Sequence, residues 1–74
     1  MANTSTVKST ASIFGAKIVL RKKVRRDGYV MGYRVEYVSP NETITLFRGL
    51  VLASASFWFN EYTEKAMTGW KPER

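Results

Sequence analysis

Alternation of apolar and polar side chains dominates the middle of the chain. From Lys17 to Val38, KIVLRKKVRRDGYVMGYRVEYV, two runs that favour β-structure flank Asp27-Gly28. A two-residue turn with positive φ tolerates Asp-Gly, so the segment predicts a β-hairpin. With Asp27-Gly28 as the loop, Arg26 falls opposite Tyr29, Val24 opposite Met31, Lys22 opposite Tyr33, Leu20 opposite Val35 and Ile18 opposite Tyr37. These pairs share one mostly apolar face. The other face pairs Arg25 with Val30, Lys23 with Gly32, Arg21 with Arg34, Val19 with Glu36 and Lys17 with Val38. A slip of one residue would mix the two sets, so the turn chemistry and the side-chain pattern specify the same register.

A second turn signal, Ser39-Pro40-Asn41-Glu42, precedes Thr43 to Arg48. Pairing this segment with the Tyr29 strand places Ile44 opposite Tyr37 and Leu46 opposite Val35, while Thr43, Thr45 and Phe47 fall on the basic side. Gly49 ends the strand or marks a bulge, and Leu50 to Leu52 continue as strand or connection. Beyond them the period changes. Ala55, Trp58, Phe59, Tyr62 and Ala66 recur at helical spacing, with Ser54 as a candidate N-cap and an end near Met67.

The expected fold is therefore α+β: a three-stranded antiparallel meander, the Tyr29 strand central, with one C-terminal helix across its apolar face. Three strands on a helix can fold where a lone hairpin cannot. Residues 1–12, MANTSTVKSTAS, have no usable period and read as a flexible N-terminal tail, with Ile13 and Phe14 anchoring its end. Residues 13–67 form the single domain and 68–74 a C-terminal tail. No internal repeat divides the chain.

Composition narrows the chemistry. The 74 residues are 45% apolar and 14% aromatic, well clear of a disordered composition. A chain of this length buries only about 60% of its unfolded surface, so the core is thin. There is no cysteine and no histidine, which removes disulfides, thiolate sites and the commonest remaining metal ligand. No metal, no cofactor and a reducing, cytoplasmic setting are expected. No run approaches the ~18 apolar residues of a membrane span, and Met1 to Thr10 lacks the layout of a signal peptide. The serines have no histidine partner, the carboxylates are scattered, and Glu61 and Glu64 read as a solvated helix face. The expectation is that the protein is not an enzyme.

The net charge of +6 is localised. Lys17 to Arg26 holds six bases and no acid, whereas the other residues contain six bases and six acids. On the hairpin register Lys17, Arg21, Lys23, Arg25 and Arg34 share a face, with Phe47 beside Arg34. Gly32 leaves a low point next to Lys23 where a phosphate or a partner backbone can approach. Opposed Arg21 and Arg34 destabilise a sheet unless an anion lies between them, and Glu36 offsets part of that cost. Phe47 is a candidate for stacking on a base, against the alternative that Ile13, Phe14 or Trp70 covers it; Phe57 either packs on Leu50 or Leu52 or meets a partner.

A plainer account treats Lys17 to Val24 as an edge strand whose bases block sheet-to-sheet pairing. That account leaves unexplained the lack of interspersed acids, since solvated surfaces mix signs. The predicted element order is similar in architecture to the small sheet-reading DNA-binding domains of plant transcription factors and of some phage integrases. In size and style the chain resembles the small proteins with which bacteriophages bind host transcription or defence complexes. Two functions follow as expectations. The first is a basic regulatory module that contacts nucleic acid, or the nucleic-acid channel of a larger machine, through Lys17, Arg21, Lys23, Arg25, Arg34 and Phe47. The second is an inhibitor or adaptor that docks the same face on an acidic protein surface such as RNA polymerase, without nucleic acid. A monomer without membrane contact is expected, the Lys17 to Val24 edge being where two copies would pair.

Overall fold

A computed structural model describes residues 3–72 of the chain. The element order is β1 (Asn3–Ser9), β2 (Lys17–Val24), β3 (Val30–Val38), β4 (Thr43–Gly49) and α1 (Leu52–Met67). The fold is α+β with one antiparallel sheet in the order β1-β2-β3-β4 and a single C-terminal helix. The sheet has four strands, not three. Most of the segment expected as an N-terminal tail is β1, which pairs along β2 from Asn3 opposite Val24 to Ser9 opposite Val19. The outermost residues of both expected tails lie outside the described residues.

The turn that makes β1 possible is Phe14-Gly15. Ile13 and Ala16 exchange hydrogen bonds of 2.6 and 3.0 Å, and Phe14 (φ 50°) and Gly15 (φ 84°) both occupy the left-handed region. This is the two-residue geometry that matches strand twist. Thr10 then joins the two strands twice, its N–H donating to the Ile18 carbonyl and its hydroxyl accepting from the Ile18 N–H.

At Asp27-Gly28 the expected two-residue turn is replaced by a longer one. The Gly28 N–H donates to the Arg25 carbonyl and the Arg25 N–H to the Tyr29 carbonyl, and Gly28 carries the positive φ of 90° while Asp27 does not. The result is a three-residue loop, Arg26-Asp27-Gly28, closed by a glycine bulge. A second irregularity, with Val24 opposite Val30 and Lys23 opposite Gly32, restores the register. From Lys17 opposite Val38 to Lys23 opposite Gly32 the β2–β3 pairing is the one expected from side-chain pattern.

The helix packs on one face of β2, β3 and β4 and leaves β1 uncovered. Ile18, Leu20 and Val35 are the largest fully buried side chains, and Ala16, Tyr37, Ala55, Phe59 and Ala66 complete the core around them. Each large aliphatic removed from water stabilises the fold by about 1.5–3 kcal/mol. Ala55 and Ala66, one near each end of the helix, let its backbone approach the sheet. Phe59 is the principal helix anchor at 8% exposure; Trp58, expected beside it in the core, remains 36% exposed and stacks on Phe47. Met31, expected in the core, is also exposed. The helix starts at Leu52 rather than after Ser54, and its N-cap residue Val51 makes no side-chain cap. Past its C-terminus, Trp70 returns to stack on Tyr62 at 5.5 Å between ring centroids.

Candidate functional site

The face of the sheet opposite the helix is read directly from the register. One row across the strands is Thr4, Lys23 and Gly32; the next is Thr6, Arg21, Arg34 and Arg48; the next contains Val19, Glu36 and Thr45; and Lys17, Val38 and Thr43 form the far row. Neighbouring strands lie about 4.8 Å apart, so Arg21, Arg34 and Arg48 form a cross-strand ladder of three guanidinium groups.

Arg48 was not among the expected site residues, and its presence has a definite cause. Between Val35 and Glu36 the β3–β4 register shifts, so that Phe47 pairs with Val35 and Thr45 with Glu36. Leu46 is the inserted residue of a β-bulge. Leu46 and Phe47 both pack against the core, and the next residue, Arg48, comes out opposite Arg34. The expected placement of Phe47 on the basic face is thus corrected: its ring lies 6.1 Å from Trp58 on the helix side. The cover comes from Trp58 rather than from Ile13, Phe14 or Trp70. Gly49 helps to seat it, because a Cβ there would meet the Phe47 ring at 2.8 Å.

Glu36 organises the centre of the ladder. It is 5% exposed, and its Oε1 accepts from Arg21 Nε at 2.5 Å while its Oε2 lies 2.7 Å from Arg34 Nε. The second contact is an ion pair whose N–H is not aimed along the hydrogen-bond direction, so it is Coulombic rather than directional. Arg21 is held further by its Nη1 donating to Thr6 Oγ1 at 3.2 Å, a partner supplied by β1. Both arginines spend Nε on the carboxylate, and the terminal amines of Arg34 have no protein partner among the described residues. Two buried-side ion pairs to one carboxylate leave a net +1 on this trio.

Arg25 does not join the face. It lies at the hairpin tip, donating through Nη2 to Asp27 Oδ2 at 2.7 Å, with its guanidinium 5.0 Å from the Tyr29 ring centroid. The hydrogen bond from Arg25, and then that from the Tyr29 N–H, hold the Asp27 carboxyl below its ordinary pKa. Lys17, Lys23 and Arg48 are exposed and form no ion pair among the described residues. Thus Lys17, Arg21, Lys23 and Arg34 are brought together as expected, Arg48 is added, and Arg25 and Phe47 leave.

Beside the ladder lies an open groove of about 510 Å³, with Gly32 at its floor and Lys22, Lys23, Arg34 and Arg48 among its lining. No carboxylate lines it. Thr4 also lines it, and Met31 and Leu50 supply apolar surface. Among the described residues no group of three or more His, Cys, Asp or Glu could hold a metal ion, and no helix is long and apolar enough to cross a membrane. Comparison with protein-family models, with curated proteins and with solved structures gave no match to this chain.

Proposed function

We propose that this protein is a non-enzymatic basic regulatory module of the transcription type that grips a nucleic-acid backbone with the helix-free face of its sheet. The observation that carries this reading is the cross-strand row Arg21, Arg34 and Arg48 flanked by Lys23 and Lys17, five cations against the single carboxylate of Glu36. Guanidinium groups suit phosphate because they offer several donors in a fixed plane. The position of β1 changes the mode of contact. A free two-stranded ribbon fits the major groove, but here β2 is flanked on both sides, so the contact is a broad face laid on phosphates, which positions without reading sequence.

About four net positive charges on this face give an expected slope of log K against log salt of roughly −3.6 on duplex and about −2.8 on single strands. Fluorescence anisotropy with random duplex and single-stranded oligonucleotides at several salt concentrations measures it. The double variant Lys23→Glu with Arg48→Glu alters only exposed, unpaired cations and should abolish binding while leaving the fold intact. Absence of binding by the native protein at low salt would overturn the reading.

A second reading is favoured by one observation. Leu50, Val51 and Leu52 form a continuous exposed apolar run that begins at the groove, which Leu50 lines while 81% exposed, and such a patch beside a basic surface suits an acidic protein partner of the RNA polymerase kind. A complex that survives nuclease treatment and requires Leu50 would establish this docking in place of nucleic-acid binding.

A further inference from the structure

We infer that the groove over Gly32 is a seat for a terminal phosphate, the phosphomonoester at one end of a nucleic-acid strand whose following phosphates lie along the basic face. This rests on the reading of that face as a nucleic-acid contact and adds a specific end-recognising subsite to it.

Four features of the groove carry the assignment. The first is charge density: Lys23, Arg34 and Arg48 belong to the helix-free face and line one groove that no acid lines, while Lys22, also in the lining, alternates to the helix side. An internal phosphodiester brings one negative charge, whereas a phosphomonoester brings about −1.5 to −2 at neutral pH with a further strong acceptor oxygen. The second is room. Gly32 brings no side chain to the lining, and around its absent Cβ lie only the Gly49 carbonyl at 3.4 Å and Leu50 Cδ2 at 3.7 Å, so β3 itself does not fill the groove here. The third is availability. Glu36 keeps the Arg34 guanidinium close through a Coulombic contact of 2.7 Å at Nε without setting its direction, and the terminal amines remain available to an oxyanion.

The fourth feature is position and shape. The groove lies in the row of the face nearest the Arg26-Asp27-Gly28 loop, where β4 has ended at Gly49 and β1 contributes only Thr4 beside Lys23. A polynucleotide tracking from Lys17 past Arg21 reaches the margin of the sheet here. Its volume of about 510 Å³ falls within the range of small-ligand sites, enough for a terminal phosphate with its sugar. Met31 and Leu50 then offer apolar surface to the attached base.

The test uses one oligonucleotide sequence in three forms: bearing a 5′-phosphate, bearing a 3′-phosphate and bearing hydroxyls at both ends. Affinities are measured by anisotropy for the native protein, for Gly32→Val and for Arg48→Gln. Valine suits a strand, and a Cβ at Gly32 would lie 3.4 Å from the Gly49 carbonyl and 3.7 Å from Leu50 Cδ2, so Gly32→Val narrows the groove without altering charge, and circular dichroism checks that the variant folds as the native protein does. For the native protein, one of the two phosphorylated forms should bind about tenfold more tightly than the dihydroxyl form, the effect of one added charged hydrogen-bonding group. Gly32→Val should abolish that preference while binding the dihydroxyl form as the native protein does. Arg48→Gln, which leaves the floor open, should reduce the preference and weaken all three forms. Equal affinity of the native protein for the three forms overturns the seat and leaves the backbone-gripping face standing. A preference that persists in Gly32→Val overturns it as well. No binding of any form overturns both.

Discussion

Replacing Glu36 by glutamine separates a charged surface from an organised one. The change raises the net charge from +6 to +7 and removes the only carboxylate among the outward-facing residues of β2, β3 and β4. Arg21 and Arg34 are directly opposed in the register, and each now loses a partner at 2.5 or 2.7 Å. Removing one member of a fully buried ion pair costs about 3–5 kcal/mol. Here the two arginines retain 30% and 35% of their side-chain surface, so water takes over part of the solvation and the expected loss is about 1–3 kcal/mol. A domain of this size is stable by roughly 4–11 kcal/mol, so Glu36→Gln folds, and urea denaturation reads the loss. Binding is the sharper readout. If charge alone mattered, the added unit would tighten binding and steepen the salt slope by about 0.9. If Glu36 positions the ladder, affinity falls several-fold despite the extra charge. Glu64→Gln on the exposed side of the helix is the control, because it produces the same net charge away from the face. Glu36→Gln binding as tightly as Glu64→Gln would refute the positioning argument.

Phe59→Ala should destabilise the domain by about 3–5 kcal/mol, as expected for truncating a buried aromatic, whereas Trp58→Ala, starting from a half-exposed ring, should cost less than half as much; equal shifts in denaturation midpoint would contradict the packing described. Val51 occupies the N-cap of the helix with extended φ of −113° and ψ of 125°, no capping hydrogen bond and no acid in the first turn. Val51→Asp should therefore stabilise the protein by about 0.5–2 kcal/mol, and a melting temperature that stays level or falls would show that the helix start is satisfied in some other way.

The register of β2 on β3 was legible because burial on one face penalises every alternative at once: a single-residue slip would turn Ile18, Leu20, Val35 and Tyr37 to water together. Turn chemistry was a weaker guide. Asp27-Gly28 does form a loop, but Gly28 alone takes the left-handed conformation, while the compact two-residue turn occurs at Phe14-Gly15, where Phe14 adopts φ 50° against its steric preference. The bulge in β4 had a sequence signature. Leu46 and Phe47 are consecutive apolar residues in an otherwise alternating strand, and both can face the core only if one residue is inserted. That insertion exchanges Phe47 for Arg48 on the outer face, and with it an aromatic for a third arginine.

The strand hidden in the Ser/Thr-rich start alters the meaning of the charge. β1 is exposed along its length and brings little apolar area of its own, so periodicity did not reveal it. Its trace is on β2, where Ile18, Val19 and Leu20 are all buried: Val19 lies on the helix-free face, and its burial fits an inner strand flanked on both sides by neighbours rather than an edge strand. With β1 in place the free edges of the sheet are β1 and β4. Bulges interrupt the pairing of both at Val7 and Leu46, a recognised way to discourage edge pairing. The bases of β2 lie on a strand whose main chain is already bonded on both sides, so they guard no edge. Their mutual repulsion is relieved only at Arg21 and Arg34, by Glu36. Lys17, Lys23 and Arg48 keep their charge unopposed, at a cost that a merely solvated surface avoids by mixing signs. A polyanion bound there, as proposed, would relieve that repulsion.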